Sequence, residues 1–342
     1  MKKLSLSPNR SFIIAEIGNS HEGSLGLAKR FITSAAECGV DCVKLQTHIF
    51  DAESRIYAPN PPYFRDESRK EYFERTALTL TEWKELNRFA TEDVGVVFTS
   101  SAFSLEAVDL LEDVGVAFHK VPSGEVTNLP LLLRLAATGK PILLSSGMST
   151  WEELDRAVET LKGAGAAEII VLQCTSDYPC SPDQSGINLM LKMADRYSLA
   201  VGFSDHTLGM AVPIAAVTLG ACLIEKHFVL SSQMYGSDAA NSTEPAEFKA
   251  LVQGIRAAEA ALVSVVDKDE KAASLRGMKH TFEKTICAAG DLSSGTVLAP
   301  EHLAYKKPMD GIPASNFKKV LGRHLTRDVE SDASIQWEDI VD

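Results

Sequence analysis

Residues 200–228, AVGFSDHTLGMAVPIAAVTLGACLIEKHF, decide how the rest of the chain is read. Two short β-like runs, AVGFSDH and CLIEKHF, carry His206 and His227 at their carboxyl ends. Between them Leu208–Leu219 is apolar and rich in small residues, as a packed crossover helix would be. A strand, a helix and a second strand make one βαβ unit, whose strands run parallel. In a barrel of such units the carboxyl ends of all strands share one face, and catalytic residues gather there. Two imidazoles at neighbouring strand ends can share one divalent metal and leave other coordination positions open. Two protein ligands leave room for water and for a carbonyl to be polarised. Asp205 and Glu225 are rival ligands or partners of the ligands.

Outward from that unit the same alternation repeats. Strand candidates are Phe12–Gly18, Asp41–His48, Val96–Ser101, Ala117–Val121, Pro141–Ser145 and Glu168–Gln173. Helical runs follow at Leu25–Cys38, Thr81–Glu92 (with Thr81 as its cap), Leu105–Asp113, Leu129–Ala137, Thr150–Lys162, Ile187–Arg196 and Glu244–Val265. The segment from Phe50 to about Arg75, with Pro59, Pro61 and Pro62, is too long for an ordinary connection and reads as a functional loop or rim. The spacing predicts a (β/α)8 TIM barrel over residues 1–266. Residues 267–281 are charged and read as a linker, and 282–342 as a small β-rich domain.

The strand-like runs are nearly all apolar until their last residues, as strands covered on both faces should be. The polar exceptions cluster late: Glu16, Lys44, Gln46, Ser100, Ser101, Lys120, Ser123, Ser145, Ser146, Gln173, Ser204, His206, Lys226 and His227. Polar residues at one end of most strands make a site. Lys44 and Lys120, with Ser101, Ser123, Ser145, Ser146 and Ser204, form a donor-rich pocket suited to phosphate or carboxylate. Glu16, Glu125 and Asp238 supply acceptors for a hydroxylated substrate and a route for protons. His21, His48, His119, His280, His302 and His324 are not candidate ligands.

Composition narrows the class. The 342 residues are 45% hydrophobic and 23% charged, with a formal net charge of −12. That charge argues against general nucleic-acid binding and leaves an anionic substrate open, because local lysines decide that. No window approaches the roughly 18–20 apolar residues of a membrane span. The start, MKKLSLSPNR, has no apolar run behind its lysines, so no signal peptide is expected. Six cysteines without a CxxC pair read as buried free thiols, in keeping with a cytoplasmic protein.

Six ordered motifs, AEIGNSHEGS, VKLQTH, HKVPSGE, LLSSGMST, GFSDHTLG and IEKHF, resemble the sialic acid synthases. The C-terminal run GDLSSGTVLAPEHLAYKKPMDGI and VLGRHLTRDVESDASIQWEDI is similar to their antifreeze-like (SAF) domain. The likeness covers nearly the whole chain. It implies condensation of phosphoenolpyruvate with an N-acylated mannosamine-type sugar to a nonulosonic acid, with release of phosphate. It also implies a divalent metal, manganese foremost with magnesium and cobalt as alternatives, and a homodimer with the SAF domain swapped over the partner's barrel mouth. Carried over residue by residue, Lys44, Ser101, Lys120, Ser123, Ser145, Tyr178 and Ser204 would hold phosphoenolpyruvate. His206 and His227 would bind the metal. Glu16, Gln46, Glu125 and Asp238 would face the sugar or the reacting centre, with Glu16 handling the proton. Two departures stand out: Ser176 where many relatives carry Asn, and Lys307 where many carry an arginine that reaches the acylamido group. A lysine cannot make that bidentate contact. The rival readings are a Schiff-base pyruvate aldolase with Lys120 or Lys226 as nucleophile, and a non-catalytic carbohydrate-binding protein.

Overall fold

Eight parallel strands close into a barrel in the order β1 to β8 in the computed structural model, which describes residues 4–60 and 67–342. They are β1 (Phe12–Gly18), β2 (Cys42–Thr47), β3 (Val97–Ala102), β4 (His119–Val121), β5 (Ile142–Ser145), β6 (Ile169–Cys174), β7 (Ala200–Asp205) and β8 (Leu223–His227). The ring closes where β1 pairs with β8, Phe12 beside Leu223 and Glu16 beside His227.

The period of two along each strand builds two different cores. Outward-facing Ile13, Ala15, Val43, Leu45, Phe98, Leu144, Val171, Phe203 and Ile224 are buried beneath the helices. Inward-facing Phe12, Ile14, Cys42, Val97, Phe118, Leu143, Ile170, Leu172 and Leu223 plug the amino-terminal end of the barrel. Phe12 and Phe118 meet edge to face there at 6.2 Å. One step further along the same inward rows the side chains turn polar: Glu16, Lys44, Lys120, Ser145, Ser204 and Glu225. The rows change character at the carboxyl ends, so the apolar plug is the floor on which the polar layer stands.

The helices are α1 (Leu25–Glu37), α2 (Phe50–Glu53), α3 (Arg69–Thr76), α4 (Leu80–Arg88), α5 (Leu105–Val114), α6 (Leu129–Ala136), α7 (Trp151–Gly163), α8 (Leu189–Tyr197), α9 (Ala211–Thr218) and α10 (Pro245–Val263). α10 ties the first and last parts of the barrel together. Its Arg256 donates to Asp41 at 2.8 Å, and its buried Glu259 accepts from the Ser11 amide at 2.6 Å.

Three expectations need correction. The α4 cap is Thr79, not Thr81: Thr79 and Glu82 form a reciprocal capping box, and the helix ends at Arg88 in a π-helical turn over Phe89–Val94. The segment after Phe50 contains α2 and α3, the latter opened by a Ser68–Glu71 capping box. Pro61 and Pro62 lie outside the described residues. The charged stretch after the barrel forms α11 (Lys268–Ser274), capped by Asp267, and α12 (Arg276–Phe282). Neither helix has a buried residue, and the apolar Leu275, at the start of α12, and Met278 and Phe282 along it stay exposed.

Residues 1–264 and 265–342 are two compact units. The second carries two antiparallel pairs, β9 (Thr285–Ala288) with β10 (Leu303–Lys306) and β11 (His324–Leu325) with β12 (Ile340–Val341). Its own core includes Ile286, Leu298, Ile312, Val320, Leu325 and Ile335. All six cysteines are free. Among the described residues no helix is long and apolar enough to cross a membrane.

Candidate active site

Strand register brings the distant polar residues together. Glu16 stands beside Lys44, Gln46 beside Ser101, Ser101 beside Lys120, and Ser204 beside Glu225. All line one cavity of about 830 Å³, joined by Ser123, Glu125, Ser145, Tyr178, His206, His227 and Asp238. Lys307 belongs to the second unit, before a cis Pro308, with its ammonium 5.2 Å from the centre of the Phe282 ring.

At the base, two ammonium groups and two carboxylates alternate. Lys44 Nζ is 2.6 Å from Glu16 Oε2 and 3.8 Å from Glu225 Oε2, and it donates to Ser101 Oγ at 2.9 Å. Lys120 Nζ and Ser204 Oγ each donate to Glu225 Oε1 at 3.1 Å. Burial pushes both carboxylates up, but their partners differ. Glu225 lies between two ammonium groups, Lys120 and Lys44, which outweigh burial and hold it down at about 2. Glu16 keeps mainly Lys44 and feels the Glu225 charge, so burial wins and raises it to about 7. Burial works the other way on Lys44, yet Glu16 and Glu225 prevail and hold it above its ordinary value. The base therefore contains a carboxyl poised to take or give a proton near neutrality.

Several polar atoms here are buried without a hydrogen-bond partner among the described residues, including Ser145 Oγ, Glu225 Oε2 and His227 Nδ1. Buried polar groups are otherwise satisfied, so orphans converging on one cavity point to a polar ligand. The loop after β5 is fitted around the same spot. A Cβ on Gly147 would stand 2.3 Å from Ser176 Oγ and 2.5 Å from Ser123 Oγ. Gly147 N donates to Ser123 Oγ at 3.2 Å.

The two histidines meet because β7 and β8 pair Asp205 with Lys226, so the next residue on each strand stands side by side. Their ring centres are 5.5 Å apart, and the Tyr178 ring lies 4.2 Å from that of His206. His206 Nδ1 is directed at the Thr175 carbonyl at 2.8 Å, which leaves Nε2 as the other edge of the ring. Burial lowers His206, but Cys174 and the Thr175 carbonyl outweigh it and raise it overall. Burial lowers His227 to about 4, which keeps its imidazole neutral, the ligating form. An orphaned Nδ1 on His227 and an oriented ring on His206 fit a divalent ion shared by the pair. Among the described residues no group of three or more His, Cys, Asp or Glu is arranged to hold a metal, so the rest of such a shell would come from water or substrate.

Around the rim, Glu125 accepts from Asn128 at 2.7 Å and is raised by burial. Asp238 Oδ2 is 3.8 Å from His227 Nδ1, and a Cβ on Gly18, where φ is +57°, would stand 2.8 Å from it. Gly18 thus clears room for Asp238 at the end of β1.

Some assignments from sequence change. Ser146 Oγ donates to the Leu172 carbonyl and accepts from Cys174 N, so it serves the β5–β6 edge. Asp205 is turned to Lys226 Nζ at 2.6 Å, and Lys226 also donates to the Thr207 carbonyl at 2.5 Å. Neither Asp205 nor Lys226 lines the cavity. Glu225 does, as the counter-charge to both lysines. His48 does too, a residue the sequence reading set aside only as a metal ligand. The signal was its place two residues beyond Gln46 and four beyond Lys44, on the same alternation.

The chain matches the NeuB family over residues 31–267 and the SAF domain over 283–341. It is 37% identical to the N,N'-diacetyllegionaminic acid synthase of Campylobacter jejuni, covering 96% of this chain and 99% of that protein. It is 33% identical to the human N-acetylneuraminate-9-phosphate synthase, covering 99% and 97%. Among solved structures, the N-acetylneuraminic acid synthetase of Leptospira borgpetersenii in complex with citrate superposes with a TM-score of 0.70 at 26% identity, covering 81% of this chain and 95% of that one.

Proposed function

The chain belongs to the NeuB family, and on that premise we propose that it condenses phosphoenolpyruvate with an N-acylated mannosamine-type sugar, releasing phosphate and forming a nonulosonic acid. The observation that carries this reading is the pair Lys44 and Lys120 at the base of the cavity, with an unpartnered Ser145 hydroxyl beside them and two imidazoles above. Relatives that share its sequence include legionaminic, pseudaminic and N-acetylneuraminate-9-phosphate synthases.

In this reaction the methylene carbon of phosphoenolpyruvate bonds to the aldehyde carbon of the open-chain sugar. The aldehyde oxygen takes up a proton and becomes a hydroxyl. Water adds to the former enol carbon and gives up both protons, one matching that taken by the aldehyde oxygen and one leaving with phosphate, as the bond from that carbon to the phosphate's bridging oxygen breaks and the keto group forms. Lys44, Lys120, Ser101, Ser123, Ser145 and Ser204 bind the phosphate and carboxylate, with Tyr178 beside them. Glu225 balances the two lysines. Glu16 moves the proton, which its position near neutrality suits. Gln46, Glu125 and Asp238 orient the sugar. His206 and His227 would hold a divalent ion, manganese first, which when bound polarises the acceptor carbonyl.

The Schiff-base alternative is less well supported. Lys226 is buried in contact with Asp205 and outside the cavity, Lys44 is held above its ordinary value, and Lys120 is paired with Glu225. A nucleophilic lysine needs the opposite, a neutral amine facing substrate. The test is incubation with phosphoenolpyruvate, Mn2+ and a panel of N-acyl hexosamines, a di-N-acetylated acceptor first. Phosphate release matched by a product heavier than the acceptor by one pyruvic acid is expected. No phosphate with any acceptor, or covalent trapping by pyruvate and borohydride, would overturn the reading.

A further inference from the structure

A hydrogen-bonded row leads from Glu16 to a histidine that the proposed reaction does not use. Glu16 Oε1 accepts from Gln46 Nε2 at 2.9 Å. Gln46 Oε1 faces His48 Nε2 at 3.2 Å. His48 Nδ1 meets Glu53 Oε1 at 2.8 Å, and Glu53 Oε2 accepts from the Ile49 amide at 3.4 Å. The His48 ring is clamped on both faces. Phe73 of α3 stacks at 3.9 Å and 5°, and Phe103, just after β3, at 4.0 Å and 23°. A ring covered on both faces bonds only through its edge, and here both edge nitrogens are engaged.

The donors and acceptors can be counted along the row. In its ionised form Glu16 only accepts, so Gln46 then gives it its NH2 group. The amide oxygen left over needs a donor, and His48 Nε2–H is the one facing it. Glu53 faces the other ring nitrogen, Nδ1, and holds that edge. Turning the Gln46 amide over would set its oxygen against the Glu16 carboxylate and its NH2 against Nε2–H, two contacts of like polarity. The amide's own shape cannot prevent that, because its nitrogen and oxygen occupy nearly the same space.

We propose that His48 is a positioning residue for the proton-handling carboxylate: its Nε2–H fixes the polarity of the Gln46 amide that holds Glu16, while Phe73, Phe103 and Glu53 fix the ring. The proposal rests on the reading of Glu16 as the group that moves the proton. It gives the rim a link to the chemistry, since Phe73 and Glu53 come from the segment between β2 and β3.

Three substitutions separate the two ring nitrogens. His48→Gln places an amide N–H near the position of Nε2, His48→Asn places one near Nδ1, and His48→Phe keeps the stack and loses both. If His48 acts through Gln46, H48N and H48F lower kcat on the order of 10–100-fold, as loss of an orienting partner does, with KM for phosphoenolpyruvate within about twofold. H48Q then recovers most of the rate. If His48 merely anchors α2 through Glu53, H48N recovers and H48Q does not; that result, or equal losses in all three, overturns the proposal. A second measurement needs no substrate. In protein labelled with 15N-histidine, with the His48 signals assigned by their loss in H48Q, Nε2 carries a proton. A His48 protonated on Nδ1 alone overturns the proposal whatever the activity. An inactive wild-type protein would count against the synthase reading, and the spectrum would still decide the amide's polarity.

Discussion

Replacing Glu225 by glutamine should weaken the barrel and strengthen its grip on anions. Glu225 is the shared counter-charge of Lys120, at 3.1 Å, and Lys44, at 3.8 Å. At the effective dielectric of protein sites those pairs are worth about 5 and about 4 kcal/mol before desolvation is subtracted. Removing one partner of a buried ion pair costs roughly 3–5 kcal/mol, because the charge left behind stays buried. Glutamine keeps an oxygen for Ser204 and Lys120 but turns its NH2 toward Lys44, so about 3 kcal/mol is expected. At roughly 2–4 °C per kcal/mol for a domain of this size, the melting temperature falls by about 6–12 °C. The same change leaves two ammonium groups opposed mainly by Glu16, so an incoming phosphate no longer competes with the Glu225 carboxylate. Thermal melts of E225Q and wild type with and without inorganic phosphate test both halves. The variant should start lower and gain more from phosphate. A variant that melts with the wild type and gains no more than it does would mean the base of the cavity is not organised by charge.

Other outcomes follow from the same geometry. H206N and H227N, measured separately by elemental analysis after Mn2+ loading and desalting, should each drop bound metal to background; unchanged content would remove that residue from the ion's shell. Lys120→Met should raise KM for phosphoenolpyruvate on the order of 10–100-fold, the worth of a hydrogen bond to a charged group; an unchanged KM would make Lys120 only a partner of Glu225. Gly147→Ala should displace Ser123 and Ser176, whose hydroxyls stand 2.5 and 2.3 Å from the new Cβ, raising the same KM while the other residues stay in place; an unaltered KM would refute the placement of that loop. Away from the site, Glu112 accepts from His119 at 2.8 Å and Lys140 at 2.7 Å. Partial burial pushes its carboxyl up, but those partners win and hold it at about 2 against an ordinary 4.5. Its contribution is therefore fully present above about pH 4.5 and is lost as the pH falls toward 2. Urea titrations should show E112Q flattening that acid limb, and identical limbs in the two proteins would contradict the assignment.

The sequence by itself determined the barrel, because covered strands need uninterrupted apolar runs and crossover helices need amphipathic ones, and both periods are written locally. It also determined which strand ends are polar, since Lys44, Lys120, Ser145 and His227 interrupt runs that are otherwise apolar. The capping box at Thr79 was readable and was misplaced by two residues; α11 and α12 were not read, because helices of seven residues each hold only about two turns of pattern, set among charged side chains. Only the tertiary structure decided partnership. Glu225 and Asp205 are both acids next to a candidate ligand or one residue removed from it, yet one faces two lysines in the cavity and the other faces Lys226 outside it. His48 looked like any other histidine until Phe73, Phe103, Glu53 and Gln46 closed around it. Charge balance and hydrogen-bond polarity depend on groups many residues apart, so they exist only once the register of the eight strands has set the distances.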